Sequence, residues 1–170
     1  MAITYEPIAT TTLSTATATV TFSSISGSYT DLVLVLSARS SQTGATDGLA
    51  VRVNSDTGSN YSSTYLRGDG TSATSGRNSS DTYYRFAFDA VVASGAASGT
   101  FSATIIHFMN YSNTTTNKTI IGRANVAGSG TDAVVGLWRN TNAITSVSCI
   151  GYGGNLETGS TFTLYGIKAA

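Results

Sequence analysis

Apolar and polar positions along the chain are most strongly ordered between Tyr29 and Arg39, where Leu32, Val33, Leu34, Val35 and Leu36 follow one another without interruption. Side chains of a strand alternate between its two faces, so Leu32, Leu34 and Leu36 share one face and Val33 and Val35 the other. Both faces need cover. Five extended residues reach only ~17 Å, too short to cross a bilayer, so the cover is protein. The pattern predicts a central strand with a second sheet against one face and a loop, an arm or a neighbouring subunit against the other.

Elsewhere the period of two recurs in shorter stretches. Leu49, Val51 and Val53 alternate with Ala50, Arg52 and Asn54; Tyr84, Phe86 and Phe88 alternate with Tyr83, Arg85, Ala87 and Asp89. Further strands are predicted over 14–22 (a weak edge), 61–67, 101–110, 118–126, 133–139, 143–150 and 161–168, divided by Gly, Ser and Asn turns. Residues 68–80, rich in Gly, Ser and Asn, read as a long loop of the kind that is usually functional or interfacial. Residues 1–13, with Pro7 and the Thr10-Thr11-Thr12 run, read as an extended N-terminal arm, and 14–170 as a single domain. No stretch has helical apolar spacing behind a cap. Eight to ten short strands at regular intervals predict an all-β fold, a jelly-roll-like antiparallel β-sandwich.

Composition narrows the function classes. The 170 residues include nine basic and nine acidic side chains, a charged fraction of 11% against the ~25% usual for globular domains. Such a surface repels itself weakly and suits a subunit that lives packed against others. The two lysines and seven arginines are scattered, so no run of phosphates is matched and nucleic acid is not an expected partner. The start has neither the charged nor the apolar region of a secretory signal, which implies synthesis in a cytoplasm, and no membrane partner is expected. Cys149, the one cysteine, reads as a buried, inert thiol.

Candidate chemistry is sparse. Asp56-Thr57-Gly58 matches the aspartic-protease triplet, and Ile120-Ile121-Gly122-Arg123 is similar to a segment that braces it in such enzymes. Yet the triplet follows Asn54 and Ser55 rather than an apolar strand, and Asp before Gly suits an Asx turn. Arg67-Gly68-Asp69, an integrin-recognition tripeptide, reads as a turn on the same grounds. The five Asn-x-Ser/Thr sequons, at Asn60, Asn78, Asn110, Asn113 and Asn117, follow from abundant Ser and Thr. His107, the single histidine, shares a strand face with Phe101, Ile105 and Met109 and reads as a core or interface side chain, and one His with one Cys is too few for a zinc site. Asp47, Asp56, Asp69 and Asp81 lack the alternating carboxylates of a calcium loop. No cofactor, metal or catalytic centre is expected.

Several stretches together resemble a family of small virion structural proteins of tailed phages, particularly phages of aquatic bacteria and cyanobacteria. They are Tyr5 to Thr12, Phe22 to Ile25 with Tyr29 to Leu32, Val51 to Ser62, Met109 to Asn113, and Gly159 to Ile167. One departure is Ser26-Gly27, where a proline is expected after Ile25. The resemblance runs the length of the chain and implies a non-enzymatic role, which removes the protease reading. It implies a capsid decoration or cement protein that bridges capsomers on the virion surface, with the major capsid protein as partner and a homotrimer as the assembled form. A tail or fibre component is the alternative, and a host-glycan-binding sandwich the second. For the glycan reading Trp138, Tyr83 or Tyr152 must stand exposed beside Asn and Asp. Expected assembly contacts are Tyr5, Pro7 and Ile8 in the arm, Val33 and Val35 on the outer face of the central strand, and Arg67 and Asp69 in the long loop.

Overall fold

The computed structural model describes residues 4–168, together with the backbone but not the side chain of Ala87. The described chain is a β-sandwich with no helix. Its larger sheet has eight strands in the order β1 (Tyr5–Thr12), β13 (Thr161–Ile167), β3 (Asp31–Ser37), β9 (Ala103–Phe108), β10 (Lys118–Val126), β11 (Gly130–Trp138), β6 (Tyr61–Gly68) and β7 (Ala73–Asp81). The smaller has five, in the order β2 (Thr19–Phe22), β12 (Val147–Gly151), β5 (Thr46–Val53), β8 (Tyr84–Ala93) and β4 (Arg39–Ser40). All pairings are antiparallel except that of β4 with β8.

The central run takes its expected place. Leu32, Leu34 and Leu36 are sealed in the core, while β3 lies between β13 and β9. Its two faces differ from one another. Val33 is buried within the chain, flanked in register by Tyr165 and His107, whereas Val35 is 37% exposed. Strand β10 shows the sandwich rule most plainly: Lys118, Ile120, Gly122, Ala124 and Val126 are buried and every residue between them is exposed. The buried Lys118 ammonium donates to the carbonyls of Thr116 and Thr141, and loss of water pushes its pKa down.

Strand β8 is the spine of the smaller sheet and crosses the larger one. Its rings Tyr84 and Phe86 lie against glycines of the facing strands. A Cβ on Gly136 would stand 2.5 Å from the Tyr84 ring, and one on Gly122 would stand 2.7 Å from the Phe86 ring. Glycine inside a strand is costly in entropy, and close approach of another group is the usual reason for it. Tyr61, Tyr84 and Trp138 complete this layer, with Tyr61 edge-on to Tyr84 at 5.1 Å and stacked on Trp138 at 6.3 Å between centroids.

Three expectations change. The segment read as a free arm is extended from Tyr5 to Thr12 but is hydrogen-bonded along β13 as an edge strand, with a bulge between Pro7 and Ala9; residues 1–3 lie outside the described residues. Its Ile8 packs against the core. The stretch read as a long loop contains β7, the opposite edge, a strand with hardly a buried residue. The described residues form thirteen strands rather than eight to ten, because several are short or lack an apolar face.

Candidate functional site: the outer face of the eight-stranded sheet

Register places two rows of side chains across the outer surface of the larger sheet. One runs Val33, His107, Ile121, Val135, Thr64, Arg77; the other runs Val35, Ile105, Arg123, Ala133, Leu66, Ser75. Strands stand ~4.8 Å apart, so each row spans about 24 Å. Ile121 is 50%, Val135 44% and Leu66 58% exposed, and with Ile105 and Ala133 they form the centre of an open depression of about 590 Å³. Two smaller depressions adjoin it, one beside Arg77 and Arg139 and the other beside Leu66 and Arg123. Contiguous apolar surface of this kind commonly marks an interaction site, unlike apolar residues scattered singly.

Charge is distributed unevenly around this face. All nine carboxylate side chains have partners inside the chain: Glu6 with Lys168, Glu157 with Arg39, Asp81 with Arg85, Asp89 with Arg67, and Asp31, Asp47, Asp56, Asp69 and Asp132 with backbone N–H groups. Seven of the nine basic side chains are likewise engaged, Arg52, Lys118 and Arg139 through carbonyl oxygens. Among the described residues, Arg77 and Arg123 alone have no acceptor, and both stand exposed on the outer face. No carboxylate occupies an outward position on β9, β10, β11, β6 or β7.

The sequence motifs resolve into structural duties. Asp56 accepts hydrogen bonds from the Gly58 N–H, from Asn60 and from the Trp138 indole at 2.7 Å. Burial opposes its ionisation, yet these donors outweigh burial and hold the carboxyl below its usual range. A carboxylate so occupied braces the Trp138 layer. Arg67 turns inward, its Nε 2.7 Å from the buried Asp89, while Asp69 closes its own turn by accepting from Thr71 and Ser72. That turn carries Gly70 at φ +88°, a backbone state that favours glycine. The Arg67-Gly68-Asp69 tripeptide is therefore folded onto itself.

Beside Arg67 lies a second buried carboxylate. Asp132 accepts from the Asp89 N–H through Oδ2, and its Oδ1 has no hydrogen-bond partner. Desolvation raises its pKa, and the neighbouring Asp89 charge adds to that, against the pull of Arg67. No group of three or more metal-ligating side chains gathers among the described residues. The Cys149 thiol is buried and pushed up to about 12 by desolvation, in keeping with an inert side chain.

Of the residues expected to make assembly contacts, Tyr5, Pro7 and Val35 lie exposed on the β1–β13–β3 end of the outer face, Tyr5 edge-on to Tyr165. Val33 and Ile8 are taken up by the chain's own packing, and Arg67 and Asp69 by internal ion pairs and turn bonds. Ile121, Val135, Leu66 and Arg123 were legible as outward positions of amphipathic strands, but nothing in the sequence joined them. Trp138, at the end of β11 in the larger sheet, is buried, whereas Tyr152, just past β12 of the smaller sheet, is exposed, and Arg85 stacks over both Tyr152 and Tyr83 at 5.1 and 5.4 Å while pairing with Asp81.

No family model and no curated protein matches the sequence. Solved structures give remote likenesses. A galectin of Caenorhabditis elegans, LEC-6, shares 11% identity over 94% of this chain and 96% of its own, with a TM-score of 0.35. The toad ovary galectin, solved with thio-digalactose, shares 12% over 88% and 99%, with a TM-score of 0.37. A legume lectin-like domain from Entamoeba histolytica shares 10% over 98% and 91%, with a TM-score of 0.34. At such identities and TM-scores no ligand, activity or role passes across.

Proposed function

We propose that this chain is a non-enzymatic structural subunit of a tailed-phage virion, a decoration or cement protein that sits on the capsid surface as a homotrimer and bridges copies of the major capsid protein. The observation that carries the reading is the exposed apolar centre of the outer face, Ile121, Val135 and Leu66, in a chain of net charge zero whose acidic groups are all engaged internally. A subunit that works by burying surface across joints needs a sticky face, and it needs no active site. The end-to-end resemblance to small virion proteins supports the same reading. Fractionation of virions into shells and tails tests it: the protein is expected on shells, and recovery on tails alone replaces decoration with a tail or fibre role.

One observation favours a second reading. The Tyr83–Arg85–Tyr152 cluster combines an exposed ring with a guanidinium and the Asp81 carboxylate, a combination that suits stacking on a sugar with hydrogen bonds to its hydroxyls. A glycan array with the isolated protein tests it. A specific hit that disappears in Tyr152→Ala would move glycan binding ahead of capsid decoration.

A further inference from the structure

We infer that the outer face of β9, β10, β11, β6 and β7 is a docking surface for a protein segment that presents carboxylates among aliphatic side chains. The inference rests on the reading of the chain as an assembly subunit and specifies the face and the chemistry of its partner.

Charge complementarity identifies the occupant. Arg123 stands in the middle of the apolar rows, between Ile105 and Ala133, and Arg77 closes the other row beyond Thr64. Neither has an acceptor among the described residues. A guanidinium shut beneath a partner without an anion would be desolvated and unpaired, so the partner must bring its own. A second copy of this chain does not bring one. Every carboxylate side chain is already held by an internal donor, and face-to-face pairing would set arginines against arginines with no acid between.

The surface between the arginines distinguishes a protein from other polyanions. Nucleic acids and acidic sugars carry closely repeated anions and are gripped by dense arrays of basic and polar side chains, with stacking on aromatic rings where strands are single. Here Ile105, Ile121, Val135 and Leu66 make the centre of the depression aliphatic, His107 and Tyr65 are the ring-bearing residues of its lining, and two arginines are too few to track a polyanion. Aliphatic surface is matched by aliphatic side chains. An extended segment alternating apolar and acidic residues would set its apolar side chains in the depression and its carboxylates on Arg123 and Arg77.

The experiment is a nuclear magnetic resonance titration of the labelled full chain with two short capped peptides, one alternating leucine with glutamate and the other leucine with lysine. Saturable shifts confined to β9, β10, β11, β6 and β7 are expected with the glutamate peptide and none with the lysine peptide. Reversing both charges, Arg77→Glu with Arg123→Glu, alters exposed residues only and is expected to weaken the glutamate peptide at least about tenfold and to let the lysine peptide bind. Four results would each overturn the inference: no saturable binding of the glutamate peptide at millimolar concentration, equal binding of both peptides, tighter binding of an acidic oligosaccharide at the same site, or self-association of the chain that Ile121→Asp abolishes. No virion enters this measurement. Failure here leaves capsid decoration standing, and absence of the protein from virion shells leaves the docking face standing.

Discussion

The two faces of the eight-stranded sheet are made from alternate residues of the same strands and finished in opposite ways. On β10, Ile120 is sealed against the smaller sheet while its neighbour Ile121 is half exposed. On β11, Val134 is buried and Val135 is not. Inside, glycines at 122 and 136 make room for the rings of Phe86 and Tyr84. Outside, Ile121 and Val135 of the same strands keep about half of their surface open to solvent. Identical residue types are thus sealed on one side and left open to solvent on the other, because pleating alone assigns the face.

Substitutions at paired positions can break that contrast. Ile120→Ala is expected to have the largest effect, a loss of ~2–5 kcal/mol in urea unfolding, since it removes buried methylenes and leaves a cavity. A loss no larger than that of an exposed residue would mean the sheets are not packed as described. Gly136→Ala follows at ~1–3 kcal/mol, because its methyl group must displace the Tyr84 ring. Asp56→Ala strips the acceptor from the Trp138 indole and is expected to cost ~1–3 kcal/mol for the unsatisfied donor. Its fluorescence should report a changed Trp138 environment, and an unaltered spectrum would count against the bond.

Buried charge sharpens the contrast further through pH. Burial raises the Asp132 pKa above its unfolded value, so its contribution to stability is full at low pH and is lost as pH rises through the folded value. Asp132→Asn has no such charge to bury. The stability of Asp132→Asn relative to the native chain should therefore grow as pH is raised, measured by urea unfolding across a pH series; a shrinking difference would show that Arg67 stabilises the ionised form. Asp56 has the opposite sign, with a depressed pKa and a contribution lost as pH falls. The smallest effect belongs to the outer face: Ile121→Ala should change stability by no more than ~0.5 kcal/mol. A cost near that of Ile120→Ala would mean that Ile121 is packed within the chain.

Legibility followed burial on one face. Strands with a clean apolar alternation, such as β10 and β13, could be read almost to their ends. The two edges of the larger sheet could not. Strand β1 reads as an arm because its Pro7 and threonines have no apolar period, and β7 reads as a loop because Ala-Thr-Ser-Gly-Arg-Asn-Ser-Ser-Asp hardly buries anything. Each becomes a strand through backbone pairing with a neighbour far along the chain or across a turn, and backbone pairing leaves little mark on side-chain choice. Asp56 was legible as a turn residue, but not as the acceptor for Trp138, 82 positions away.

What the amino-acid order alone determined here is the fold class and the inward set of each amphipathic strand, because alternation is a local property of the backbone. Tertiary structure decided which strands are neighbours, and with that everything lateral: that Val33 is closed in beside Tyr165 and His107 while Val35 is not, that nine carboxylates are consumed internally, and that Arg77 and Arg123 are left facing water on one apolar surface. Register between distant strands sets such groupings, and register depends on the packing of whole sheets rather than on any one stretch.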